Sequence, residues 1–427
     1  MDNIVTGNGF NGTLAEKIFS YKLNKQVYSK DEYETPIDLL MMSDASGILA
    51  LKEIRDKIGI INIKPWDSKK IVMVFDHFTP PANPSHAMYH SMLRKFADAF
   101  DINYYDIGEG ISHQLLIERE LAKPGMLIAG ADSHSTSYGA VGAMGVGIGS
   151  TDAIYAMMKG SLLLKVPESI KIVLNGQFKS NVYGKDLILY ILGNMKADGA
   201  TYMCTEYWDY TEKGISLEDR ITITNMGAEL GAKASIFSID NQMIKKYGSE
   251  VDKYRASEDA RYNRVMNFNV SDIEPMIAVP DKMDNVFPVS RYEGVKIEQA
   301  FIGSCTNGRI TDMRIAARIL KGKKVAKNVR LLIAPASAYV YEQMIKEHLI
   351  DLFVEAGAVI LIPGCGPCFG ALGGLLSSDE TVISSSNRNF SGRMGSAKAR
   401  IFISSPATVA ISAVNGYISI PSEVNTE

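Results

Sequence analysis

Ser304-Cys305-Thr306-Asn307 and Gly364-Cys365-Gly366-Pro367-Cys368 carry three of the four cysteines in this 427-residue chain. Each stretch follows a short apolar run, 299–303 and 358–362, that reads as a buried strand. In an open α/β sheet both cysteine loops then lie at the carboxyl ends of strands, where such folds place their sites. Three thiolates converging on one point suit a metal. A structural zinc takes four ligands, and a ferredoxin-type cluster takes four cysteines. The fourth cysteine, Cys204, stands far upstream in another strand-like setting, 202–208, and reads as a buried thiol. Three cysteines can hold a [4Fe–4S] cluster at three corners, leaving one iron open to water or substrate as a Lewis acid. A CxxC pair taken by itself also fits a redox couple or a plain turn.

The segment that follows narrows the choice. Ser384 to Gly395 contains Asn387, Arg388, Asn389 and Arg393 in a stretch too polar and turn-rich for a core. Arginine presents a planar fork that binds carboxylates with two parallel hydrogen bonds. An open iron beside two such forks describes a site for a hydroxylated di- or tricarboxylate.

Phe301 to Gly308, Cys365-Gly366-Pro367-Cys368 and Asn387 to Arg393 resemble the cluster and substrate motifs of the aconitase superfamily. Within it, they are most similar to the branch of large subunits acting on isopropylmalate and homoaconitate-type acids. The resemblance runs from near Glu16 to the Ser405–Thr408 segment, so it covers nearly the whole chain. It implies an α/β fold of three domains around a cluster-containing cleft, 1–165, 166–285 and 286–427, the last carrying Cys305, Cys365 and Cys368. It also implies a [4Fe–4S] cluster with one iron not held by cysteine. Single-chain members carry their catalytic serine in a fourth, swivelling domain. This chain stops at Glu427, shortly after the third domain, so the resemblance implies a small partner subunit that supplies the base.

Composition agrees with a multidomain enzyme. At 427 residues the chain is too long for a single core. A formal net charge of −3 gives no basic excess for nucleic acid or an anionic membrane surface. No run of about twenty apolar residues is free of charge, so no transmembrane helix is expected. Met1 to Gly7 lacks the basic-then-apolar pattern of a signal peptide. Four cysteines over this length, three of them clustered, argue for a reducing cytoplasm rather than a disulfide framework.

Along the chain, residues 11–66 read as helix, loop and helix, with a buried strand at 39–44 ending in an acidic turn. The apolar run 71–75 reads as a buried parallel strand ending at Asp76-His77. A carboxylate beside an imidazole holds its tautomer and raises its pKa, which makes a general acid. His86 and His90 follow on an expected helix, 84–101, as surface or packing residues. Strands at 102–107 and 125–130 lead to His113 and to Asp132-Ser133-His134. The glycine-rich stretch 138–149 has neither Walker nor clean dinucleotide spacing and reads as close helix packing near the cluster. A second domain opens near 165–174 and includes a helix at 182–196. In a helix at 219–233, Asn225 and Glu229 stand four apart and share a face. Residues 242–295 read as a helical excursion, a strand at 276–279 and a linker at 280–288. Beyond it strands at 298–303, 330–334 and 358–362 alternate with helices at 310–320 and 337–347. A strand at 400–403 and a C-terminal helix close the chain.

The resemblance assigns roles to these residues. It implies that His77, oriented by Asp76, is the acid for the departing hydroxyl. It pairs His113 with Asp132 and His134 with Glu229, and gives Asn225, Asn387, Arg388 and Arg393 to water and substrate carboxylates. The reaction implied is reversible hydration and dehydration of a hydroxy dicarboxylic acid. Three departures bear on the substrate. Phe369 to Gly374 replaces a segment that in the family often has a histidine-methionine pair, Thr205 to Asp209 is atypical, and Ser135 stands where threonine is usual. An isopropylmalate-type acid comes first, with homocitrate-type and dimethylmalate-type acids beside it. A different class, an iron-sensing RNA binder of the same fold, would require a basic face that this composition does not offer.

Overall fold

The computed structural model describes residues 10–58 and 63–422. Met1 to Gly7, where a leader was looked for, and part of the 11–66 stretch lie outside those residues. Three sheets and a small ribbon organise the chain. The first sheet has five parallel strands in the order Asn103–Tyr105, Ile71–Val74, Leu39–Ser43, Leu127–Gly130 and Met144–Gly147. The second has four parallel strands in the order Ala234–Phe237, Cys204–Thr211, Ser169–Gly176 and Arg264–Asn269. The third has seven. Its parallel part runs Arg400–Ser404, Thr381–Ser384, Gln299–Gly303, Arg330–Ala334 and Val359–Ile360, with Met276–Ala278 and Val286–Pro288 antiparallel at one edge. An antiparallel ribbon pairs Glu32–Pro36 with Ser161–Lys165.

Sequence pattern explains the central strands. Leu39–Ser43, Ile71–Val74, Leu127–Gly130 and Gln299–Gly303 are buried along their whole length. Parallel strands covered on both faces read as continuous apolar runs, and these do. Their carboxyl ends matter most. Leu39–Ser43 delivers Asp44, Ile71–Val74 delivers Asp76 and His77, Leu127–Gly130 delivers Asp132 and His134, and Gln299–Gly303 delivers Cys305. The site residues thus come from the carboxyl ends of two sheets, the general rule for open α/β sheets.

Several elements differ from the sequence reading. Residues 11–66 contain the helices Leu14–Leu23 and Asp44–Glu53, but also the strand Glu32–Pro36, whose polar sequence suits a ribbon edge. The helix expected through 219–233 stops at Asn225 and continues as a 3-10 turn, Met226–Leu230. Arg264–Asn269, Leu349–Ala356 and Thr381–Ser384 were not expected. The first is a polar outer strand with mostly exposed side chains, which hides its period. Met276–Ala278, read from sequence as the end of the second unit, hydrogen-bonds to Arg400–Ser404 in the third sheet.

The glycine-rich stretch is not an α-helix. It forms a 3-10 segment, Ser133–Val141, followed by the strand Met144–Gly147. Close packing is its purpose all the same. A Cβ on Gly139 would fall 1.7 Å from the Ser235 carbonyl oxygen, on the backbone of the second sheet. The segment carrying His134 therefore docks on that sheet through bare backbone. Gly139→Ala must push the two apart, and overpacking of this kind costs about 1–3 kcal/mol. The expected result is a lower unfolding midpoint in denaturant for the purified variant, and an unchanged midpoint would contradict the docking described.

Candidate active site

Cys305 follows Ser304, a non-glycine residue held at φ 71°, in the left-handed region. Its hydroxyl accepts from Thr306 N at 3.3 Å, which steadies the turn. Cys365 and Cys368 flank the start of a 3-10 turn, Gly366–Phe369. Cys365 N donates to Asp76 O at 2.8 Å, so the CxxC loop is stitched to the end of a first-sheet strand. All three thiols are free, and all three line one cavity with His77, His113, Asp132, His134, Asn387 and both arginines.

Cys305 and Cys365 are poorly suited to stand alone as anions. Burial, then the neighbouring Cys368, pushes Cys305 up to about 12. Burial, Asp76 and the other two thiols push Cys365 well up. A bound metal centre supplies the positive charge that such a set lacks, and coordination deprotonates thiols outright. The surroundings suit a sulfur ligand. Asn225 Nδ2 lies 3.1 Å and Asn387 Nδ2 3.6 Å from Cys305 Sγ. His113 Nδ1 and Arg393 Nε are buried without a hydrogen-bond partner among the described residues. Three convergent cysteines with amide donors around them fit a cluster held at three corners.

Asp76, His77 and Cys365 also bring ligand atoms close together, as do His113, Asp132 and His134. In both groups the acid is already committed to a histidine. His77 Nδ1 is 2.7 Å from Asp76 Oδ1, whose other oxygen accepts from Ser112 N at 2.8 Å. His113 Nε2 is 2.8 Å from Asp132 Oδ1, and the same oxygen accepts from His134 N at 2.8 Å. Asp132 Oδ2 lies 3.5 Å from His77 Nε2. His134 Nε2 is 3.2 Å from Glu229 Oε1, which also accepts from Arg388 Nε at 2.8 Å. The three histidine–carboxylate pairs named from the sequence are thus adjacent, and Asp132 links all three.

Their electrostatics follow from that geometry. Burial opposes charge on His77, but the Asp76 charge and the hydrogen bonds that His77 donates to Asp132 and Asp76 outweigh it and raise its pKa well above the usual imidazole range. Asp132 is pushed up by burial and pulled down further by the His113 charge and by hydrogen bonds from His113, His134 and His77, so it ends well below the ordinary carboxylate range. Glu229 also ends low, since His134 and Arg388 outweigh its burial. Arg388 and Arg393 line the cavity, and the Arg393 guanidinium sits over the rings of Phe369 and Phe390, 5.6 Å from each centroid. Asn225 and Asn387 are engaged with each other and with Thr306 and Cys305.

Sequence reasoning missed four supporting residues. Asp44 accepts from His77 N at 2.9 Å and Phe78 N at 2.8 Å, and meets His90 Nε2 at 3.0 Å. It fixes the turn that presents His77. His90, read as packing or surface, is buried, with its ring on the edge of Phe75, while His86 is only half-buried against Phe78. The signal for Asp44 was its place at a strand's carboxyl end, like Asp76 and Asp132. Arg309 donates to Cys305 O at 2.9 Å and also to Thr306 O. Lys185 is fully buried behind the arginine loop.

A parallel-stranded fold with three cysteines, paired histidines and two arginines at its strand ends defines an aconitase-type centre. The chain belongs to the aconitase family, whose model, described as aconitate hydratase, matches residues 16–416. Among curated relatives it is 44% identical over 417 residues to the 3-isopropylmalate dehydratase large subunit 1 of Archaeoglobus fulgidus, covering 96% of this chain and 99% of that one. It is 44% identical over 420 residues to the 3-isopropylmalate dehydratase large subunit of Caldicellulosiruptor saccharolyticus, covering 96% and 97% of the two chains. It is 43% identical over 423 residues to that of Aquifex aeolicus, again covering 96% and 97%. No helix among the described residues is long and apolar enough to cross a membrane.

The Asp132 carboxylate contributes stability above its unfolded pKa, and that contribution is lost as pH falls through its lower folded value. Asp132→Asn should therefore lower stability at pH 7 by about 3 kcal/mol, the usual cost of breaking a buried charge pair. It should also flatten the acid limb of the stability curve. Denaturant melts between pH 3 and pH 7 check both, and a variant with the parent's acid limb would contradict the assignment.

Proposed function

We propose that this chain is the large, cluster-holding subunit of a cytoplasmic hydro-lyase that interconverts 2- and 3-isopropylmalate. The observation that carries this is the convergence of Cys305, Cys365 and Cys368 with Arg388, Arg393 and an acid-poised His77 on one cavity. The printed names of the relatives favour isopropylmalate over homocitrate-type and dimethylmalate-type acids.

Cys305, Cys365 and Cys368 would hold a [4Fe–4S] cluster. When bound, that group supplies a Lewis-acidic iron at the corner no cysteine occupies. The chain's own residues do the rest. Arg388 and Arg393 hold the substrate carboxylates through charge-assisted hydrogen bonds. Glu229 keeps Arg388 and His134 in place. His77 arrives protonated because Asp76 and Asp132 raise its pKa, and it gives its proton to the departing hydroxide. The products are water, an unsaturated diacid and a neutral imidazole that Asp76 still orients. Readdition of water at the neighbouring carbon runs the same steps backwards. The proton on carbon goes to a base supplied by a small partner subunit carrying the swivel domain. The phrase "large subunit" in the relatives' names supports such a partner.

The test is anaerobic reconstitution followed by iron and sulfide analysis and low-temperature EPR. The expected outcome is about four irons per chain and a spectrum that changes on adding 3-isopropylmalate, with turnover only when a small subunit is present. Stoichiometric zinc, or a spectrum indifferent to every hydroxy acid tried, would sink the proposal. Arg393→Lys removes the planar fork but keeps the charge. It should raise KM by about tenfold or more while kcat changes little, since it loses binding shared by ground and transition states. Steady-state kinetics separate the two.

A further inference from the structure

Lys185 breaks three local rules at once. It is completely buried. It sits in the first turn of the helix Gly184–Met195, where the macrodipole disfavours a cation. Among the described residues, no carboxylate lies within salt-bridge distance of its ammonium. Burying an unpaired charge is costly, and burial pulls its pKa down to about 7. Sites where local preference fails without visible compensation tend to be functional.

Its contacts show where the function lies. Nζ donates to Ser385 O at 2.8 Å and Ser386 O at 2.7 Å, and touches Met226 Sδ at 3.5 Å. Those two carbonyls immediately precede Asn387 and Arg388, which face Cys305 and Glu229 respectively. The negative field that favours its charge comes first from Asp312 and then, where they are ionised, from Cys368 and Cys305, with Arg309 opposing. Arg309 grips the Cys305 and Thr306 carbonyls in the same manner. Each wall of the cavity, the cysteine turn and the arginine loop, is thus held from behind by one buried cation.

We propose that Lys185 is a positioning residue with two effects: its ammonium fixes the Ser385 and Ser386 carbonyls so that Asn387 and Arg388 face the cavity, and its charge offsets the thiolates once they hold a cluster. This rests on the reading of the three cysteines above.

The experiment compares wild type, Lys185→Met and Lys185→Arg as full chains reconstituted anaerobically, without substrate. Removing a positive charge makes adding an electron harder. Lys185→Met should shift the cluster's reduced-to-oxidised ratio at fixed potential by about tenfold toward oxidised, about 59 mV for a one-electron couple. It should also lose iron several-fold faster in air. Lys185→Arg should stay close to wild type in both. An unchanged potential in Lys185→Met overturns the proposal. Should Lys185→Met fail to fold, Lys185→Gln, neutral with a donor retained, gives the same comparison and the same criterion. A wild-type chain that takes up no cluster removes the hydro-lyase reading together with this one. A normal wild-type cluster with an indifferent Lys185→Met removes this one alone.

Discussion

The site depends on one carboxylate. Asp132 meets His113 at 2.8 Å, His134 N at 2.8 Å and His77 at 3.5 Å. These partners reach it from a first-sheet strand end, from the helix Ser112–Glu118 and from its own 3-10 turn. A buried carboxylate with that many donors stays ionised, and an ionised acid at that point sets the protonation of what surrounds it. His77 keeps its proton because Asp132 and Asp76 face it from two sides. The arginine loop is tied in by the separate Glu229 link to His134. Positive and negative groups alternate across the cavity, so loss of one leaves its neighbour buried and unpaired.

The sheets make this possible at modest strain. Parallel strands with apolar side chains on both faces need no polar partners along their length, so the polar groups collect at their ends. The five-stranded and seven-stranded sheets each turn their carboxyl ends toward the cavity. The Cys365 amide on the Asp76 carbonyl is a direct backbone hydrogen bond between them, at 2.8 Å. Backbone links of this kind carry no sequence signature. Any residue except proline can make one.

That limit explains what the sequence revealed and what it concealed. Strands such as Ile71–Val74 and Gln299–Gly303 were legible because burial on both faces leaves a continuous apolar run. Arg264–Asn269 was not, because it is a mostly exposed outer strand. The Cys305 and Cys365-Cys368 turns and the Asp76-His77 pair were legible because their residue types are chemically specific. Asp44 and Lys185 were not, because a single acid or lysine is common and only burial makes it unusual. The break between Asn225 and Met226 was also hidden. A 3-10 turn keeps helix-like spacing while changing the direction in which Asn225 and Glu229 point.

Charge arithmetic connects these hidden residues to the visible ones. Asp186 lies beside Lys185 in sequence but spends its carboxylate on Met276 N and Tyr183 N, and burial pushes its pKa up to about 7. Asp312 likewise accepts from Arg309 N and Asn307 Nδ2, and burial raises its pKa. The acids nearest the two buried cations are therefore already weak anions occupied with backbone and amide donors. The cations in turn spend their donors on the carbonyls of the cysteine turn and the arginine loop. Among the described residues, the side chains of the two sets meet only at Arg309 and Asp312, 3.8 Å apart. The packing behind the cavity thus holds the arginine loop and the cysteine turn through buried contacts to their carbonyls.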